Sequence, residues 1–163
     1  MGESGTPNNG VLSLGKEYMF LGQYRHSFDE KGRITIPSRY REILKGEGYV
    51  AQGFDQNLMV FTVPVFESLA RRLNQANITD SSSRLLKRLF FAHTSYVEVD
   101  KVGRILIPQY LREWAGLTEE VMVIGSGDYF ELWSPELWKT QEAQLQNADE
   151  NSQRFAAFQL TTQ

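Results

Sequence analysis

The sequence predicts an α+β protein, mainly β with appended helices, built as two pseudo-symmetric halves. Three observations carry this. Asp29, Gly32, Arg33, Ile34, Ile36 and Pro37 recur as Asp100, Gly103, Arg104, Ile105, Ile107 and Pro108, at a constant offset of 71 residues (100 − 29 = 71). Apolar residues beside each copy alternate with polar ones, the period of half-buried strands. Each copy is then followed by segments of helical spacing that open at a proline and stop at a glycine. Two copies of one turn-plus-strand in a short chain mark an internal duplication.

Taken in order, Tyr24, His26 and Phe28 alternate with Arg25 and Ser27, and Val97 and Val99 stand in the places of His26 and Phe28. That face of the first strand is expected to point inward, with His26 packed or hydrogen-bonded. Asp29 and Asp100 can accept N–H groups of the turn that follows, and Gly32 and Gly103 suit a positive φ there. These four are the expected hairpin-structuring residues. Arg33 and Arg104 open a second short strand in which Ile34 and Ile36, or Ile105 and Ile107, share one face. Pro37 and Pro108 end it and can be the first residue of a helix. Tyr40, Ile43 and Leu44 then form one apolar helix face, and Leu111, Trp114 and Ala115 another, stopped by Gly46 and Gly116. Each copy thus reads hairpin, then short helix.

Past the motif, residues 49–53 align with 121–125 and residues 58–61 with 130–133, each a pair of strands around a Gly/Asp/Asn turn. Thr62 ahead of Pro64 and Ser134 ahead of Pro135 offer capping hydroxyls to two more helices. The first carries Phe66, Leu69 and Leu73, the second Leu137 and Trp138. Another helix is expected between the repeats, starting near Ser81 with Leu85, Leu86, Leu89 and Phe90 as its stripe. The organisation read from this is repeat 1 at 22–65, a helical connector at 66–93, repeat 2 at 94–138, and a C-terminal helix and tail at 139–163. Residues 1–18, rich in Gly, Asn and Ser, are expected to be a disordered extension. Phe155 and Phe158 stand in an otherwise polar tail.

The double Asp-x-x-x-Arg signature, the Met19-Phe-x-Gly opening and the segment from Phe130 to Trp133 resemble the MraZ family over about residues 19 to 140. The resemblance implies two tandem AbrB-like (swapped-hairpin) domains, a double-split β-barrel. It implies a sequence-specific DNA-binding transcriptional regulator, cytoplasmic and nucleoid-associated, acting on the promoter of the division and cell-wall operon that usually includes its own gene. It also implies assembly into a closed, octamer-like ring with basic hairpin loops facing double-stranded promoter DNA.

Composition is compatible with that reading. Net charge is −3, yet residues 24–45 hold six cations against Asp29, Glu30 and Glu42, while residues 116–163 sum to −6. Such asymmetry can hold DNA on one face. The chain has no cysteine, so there is neither a disulfide framework nor a thiolate metal site. His26 and His93 form no local metal motif, and no metal, cofactor or small-molecule ligand is expected. No apolar run is long enough to span a membrane, and no signal-peptide pattern opens the chain.

Arg33 and Arg104 are the main candidates for DNA contact. Each sits beside a turn glycine, where the backbone can approach a phosphate and the guanidinium can reach a base edge. Each could equally pair with its own aspartate and fix the hairpin, and both roles can share one site because an oriented guanidinium loses less entropy on binding. Lys31 is the candidate phosphate contact. Its counterpart is Val102, so the second hairpin reads as the less basic. Arg41 and Arg112 match between the copies but lie within helices, where a structural ion pair is expected. The rival from another class is a proton-sharing aspartic dyad of Asp29 and Asp100. Against it, the arginine four residues after each aspartate would keep the carboxylate ionised, and no nucleophile, base and oxyanion set appears elsewhere, so no catalytic residue is expected. A non-enzymatic ring scaffold for protein partners is the other alternative.

Overall fold

The computed structural model of the chain describes residues 19–162. The first repeat runs β1 (Gln23–Ser27), β2 (Arg33–Thr35), α1 (Ser38–Leu44), β3 (Glu47–Gln52), β4 (Leu58–Phe61) and α2 (Val63–Asn74). After α3 (Ser81–Ala92), the second repeats the pattern as β5 (Thr94–Glu98), β6 (Arg104–Leu106), α4 (Gln109–Trp114), β7 (Glu120–Gly125), β8 (Tyr129–Trp133) and α5 (Pro135–Gln144). A further helix, α6 (Ala148–Phe155), and a 3-10 turn (Ala156–Phe158) follow. The class is mixed α+β. The extension expected at residues 1–18 lies outside the described residues.

The strands pair across the repeats. A six-stranded sheet has the order β1-β7-β8-β4-β3-β5, and β2 and β6 form a separate two-stranded ribbon. His26 of β1 lies opposite Val121 of β7, Val97 of β5 opposite Gly48 of β3, and Ile34 of β2 opposite Ile105 of β6, all antiparallel. The Asp29 and Asp100 turns therefore join strands whose ladders are completed by the other repeat. A three-residue strand is too short to hold a hairpin alone. Crossing over instead gathers Ile34, Ile36, Ile105 and Ile107 into one core with Val50, Leu58, Val60, Val121, Val123 and Leu132.

The register also corrects the alignment beyond the motif. Ala51 lies opposite Thr94, and Ile124 lies opposite Gln23, the repeat equivalent of Thr94. Ala51 thus corresponds to Ile124 and Val50 to Val123, one residue further on than the sequence alignment put them. One residue is decisive in a strand, because it exchanges the two faces. Val50 and Val123 point into the central core, while Ala51 and Ile124 lie on the outer face beneath helices.

At one end of the core the rings of Phe20, Tyr40 and Phe130 lie 5.0 Å apart pairwise, and the Tyr40 hydroxyl donates to the Leu21 carbonyl at 2.7 Å. On the outer face α2 and α3 cover β3 and β4, with Phe66 stacked on Phe90 at 5.2 Å. The second repeat has only α5 in that position, through Leu137 and Trp138 against Trp133. The expected caps are present: Thr62 Oγ1 accepts the Val65 amide at 3.3 Å and Ser134 Oγ the Leu137 amide at 3.1 Å. Pro37 and Pro108 act as the N-caps themselves, one place earlier than expected.

Two apolar expectations change. Tyr24 is exposed because β1 is an edge strand, although its ring still meets the Tyr40 ring edge-on at 5.5 Å. In α3 only Phe90 is buried, and Leu85 and Leu86 face solvent, because the sheet offers that helix a narrow strip beside α2.

Candidate nucleic-acid interface

The two Asp-x-x-Gly-Arg turns have the same construction. Asp29 Oδ1 accepts the Lys31 and Arg33 amides, both at 2.9 Å, and Oδ2 accepts Arg33 Nε at 2.7 Å. Asp100 Oδ1 accepts the Val102 and Arg104 amides at 3.1 and 2.9 Å, and Oδ2 accepts Arg104 Nε at 2.8 Å. The Gly32 amide donates to the Asp29 carbonyl and the Gly103 amide to the Asp100 carbonyl, each at 3.0 Å. Both glycines sit at φ +86, where a side chain would be strained. Aspartate has the right reach for this turn, with one oxygen for two amides and one left for a guanidinium.

These bonds set the charge state. The Arg33 amide bond leads, and with the Arg33 guanidinium and the Lys31 amide it outweighs partial desolvation and holds the Asp29 carboxyl at about 2. The same contacts from Arg104 and Val102 lower Asp100. Two carboxylates held ionised in this way are the reverse of a proton-sharing dyad, in which one is driven up. A folded-state value below the ordinary 3.8 means that the unfolded chain binds more protons between the two values. Asp29 thus contributes stability that is present above about pH 4 and is lost as pH falls toward about 2. Melting temperatures recorded from pH 5 down to 2.5 should show a shallower acid slope for Asp29→Asn than for the parent; superimposable slopes would remove this role.

The ribbon brings the two turns together. With the isoleucines inward, Arg33, Thr35, Arg104 and Leu106 form its outer face, and Arg33 lies opposite Leu106 and Thr35 opposite Arg104. The guanidiniums converge: Arg104 Nη1 comes within 3.6 Å of the Asp29 Oδ2 that already holds Arg33. Each arginine side chain is about 30% exposed, so it is paired on one side and open on the other. Lys31 is exposed at one turn tip and Lys101 at the other. Lys101 was missed by the sequence reading, and it corrects the ranking of the hairpins. It stands where the first tip has Glu30, so the charge of Lys31 is offset locally and that of Lys101 is not.

Arg41 and Arg112 also depart from expectation, since neither forms an ion pair among the described residues. Each guanidinium lies against the turn glycine of the opposite repeat. A Cβ added to Gly32 would sit 2.7 Å from Arg112 Cζ, and one added to Gly103 would collide with Arg41 Nη1. Their matching positions in the two copies were the available signal, but only the crossing of the strands reveals what they touch. Among the described residues, no group of three or more His, Asp or Glu side chains is placed to hold a metal ion.

Comparison with known proteins adds independent findings. The sequence pattern of the family described as "MraZ protein, putative antitoxin-like" matches this chain twice in tandem, at residues 19–89 and 90–160. The protein named "Transcriptional regulator MraZ" of Herpetosiphon aurantiacus is 45% identical over 122 residues, 75% of this chain and 85% of that one. Its namesake in Thermomicrobium roseum is 42% identical over 123 residues, 76% and 87% of the two chains. That of Leuconostoc citreum is 38% identical over 141 residues, 86% and 99% of the two.

Proposed function

The chain belongs to the MraZ family, and from that premise we propose that it is a non-enzymatic, sequence-specific regulator of transcription that reads double-stranded promoter DNA with its β2–β6 ribbon and the two adjoining turns. The observation that carries this reading is the convergence of Arg33 and Arg104, each oriented by a carboxylate yet open on its outer side, between tips bearing Lys31 and Lys101. An oriented guanidinium suits a bidentate contact to guanine, and flexible lysines at the tips suit phosphates. Interleaving of the repeats supports the AbrB-like swapped-hairpin reading of the fold.

The finer reading places the target in the promoter of the division and cell-wall operon, its own gene included, as repeated short boxes bound by a ring-shaped, octamer-like assembly in the nucleoid. Leu85, Leu86 and Phe91 on α3, and Phe155 and Phe158 near the C-terminus, support contacts between copies, since one chain leaves them exposed. None of the described helices is long and apolar enough to cross a membrane. A gel shift with DNA from upstream of the chain's own coding sequence tests the proposal; equal affinity for that duplex and a scrambled one would favour a protein-binding scaffold.

The tip lysines offer a quantitative check. Each phosphate contact adds about 0.9 to the slope of log K against log salt concentration. Lys31→Ala is expected to lower that slope by about one contact, and Lys101→Ala to do the same. A slope identical to that of the parent in either variant removes that lysine from the interface.

A further inference from the structure

We propose that Arg112 is a positioning residue for the hairpin of the other repeat: it holds the 29–33 turn from across the pseudo-symmetry axis, with Arg41 as its looser counterpart on the 100–104 turn. This rests on the DNA reading above only for its functional consequence; the brace itself is a property of the free protein.

Three contacts converge on the first turn. The Arg112 guanidinium lies so close over Gly32 that a methyl group there would meet its Cζ at 2.7 Å. Its Nε donates to the Ile107 carbonyl at 2.9 Å, and the Ile107 amide in turn donates to the Gly32 carbonyl at 3.0 Å. Arg112 is thereby tied to the same residue that ties the turn. The guanidinium also rests over the Phe28 ring, 5.9 Å from its centroid, just ahead of the Asp29 that starts the turn. A planar cation between a glycine and an aromatic face resists sliding in a way that an ammonium does not.

The second turn has the same frame with fewer fastenings. Gly103 accepts the Ile36 amide at 2.9 Å, and Arg41 crowds Gly103 as Arg112 crowds Gly32. Yet among the described residues Arg41 Nε is buried without a hydrogen-bond partner, and Val99 stands in the place of Phe28, so that position offers the cation no ring. The duplication has therefore left one turn rigidly preset and the other freer to adjust. In DNA recognition this divides the work between the turns and not between their arginines, which are each held by a carboxylate: the 29–33 turn arrives preset, and the 100–104 turn adjusts.

Amide hydrogen exchange on the full chain without DNA tests the brace. Arg112→Ala should speed exchange at Lys31, Gly32 and Arg33 by at least about tenfold, while Val102, Gly103 and Arg104 change by less than about twofold. Arg41→Ala should act on the second turn and by a smaller factor. Arg112→Lys, which keeps the charge and carries the test if the alanine variant does not fold, should behave as Arg112→Ala. A uniform rise in both turns, an effect confined to the repeat that was mutated, or restoration by lysine would each overturn the proposal. A double-mutant cycle gives a second readout: Gly32→Ala should lower the melting temperature less in Arg112→Lys than in the parent, because the clash is then with a flexible stem. Equal losses would count against a direct contact. The DNA reading is tested separately by Arg33→Ala, so a brace seen by exchange survives even if Arg33 proves to have no part in binding.

Discussion

Arg33→Ala is expected to weaken binding to promoter DNA at least about tenfold with the fold intact. The size follows from what the side chain can do: a bidentate arginine–guanine contact is worth about 1–3 kcal/mol of discrimination, and tenfold is about 1.4 kcal/mol. The fold should survive because Asp29 keeps its two amide bonds from positions 31 and 33, and Arg104 Nη1 already lies 3.6 Å from the same carboxylate. Fluorescence anisotropy with the upstream duplex measures the affinity, and circular dichroism with a sedimentation profile checks fold and assembly. A well-assembled variant of parental affinity would leave Arg33 with the structural role alone.

Altering the spacing of the DNA boxes should have a larger effect. One chain presents two turns and a three-residue ribbon, too little surface for tight, selective binding by itself. In the ring proposed above, linked copies turn later contacts into intramolecular ones, with avidity gains of about 10²–10⁴ when the geometry fits. That geometry requires boxes on one face of the duplex, about one helical turn of 10 bp apart. Inserting about 5 bp turns the next box to the far side and should reduce affinity at least about a hundredfold, whereas a full-turn insertion should cost much less. Equal binding to all three spacings would show that the copies act independently on DNA.

The local geometry of the two turns is legible in the sequence. Asp29 and Gly32, like Asp100 and Gly103, declare their turns because carboxylate reach and positive φ are requirements met within five residues. The outward placement of Arg33 and Arg104 follows from alternation with the isoleucines. The family was legible too, in the doubled signature and its flanking segments. What failed were statements about partners distant in sequence: an ion pair for Arg41 and Arg112, burial of Leu85 and Leu86, and the match of β3 to β7, which was one residue out. Lys101 is different in kind, for it stands in the sequence beside Val102 and needs no tertiary contact to be found.

The sequence by itself determined the local conformations and the faces of the strands, since φ preference, capping and period are properties of a few adjacent residues. Only the tertiary structure decided which strand pairs with which. The two repeats share the turn, the Ile-x-Ile strand and the period of their edges, so β1 meets the same pattern on β3 of its own copy as on β7 of the other, and propensity cannot separate them. The choice rests on burying the two isoleucine pairs of the ribbon in a single core, which a three-residue strand achieves only by crossing. From that crossing come the shared Asp29, the convergence of Arg33 with Arg104, and the reach of Arg112 to Gly32. The site is made by contacts between residues about 70 positions apart, and no window of sequence contains both sides of them.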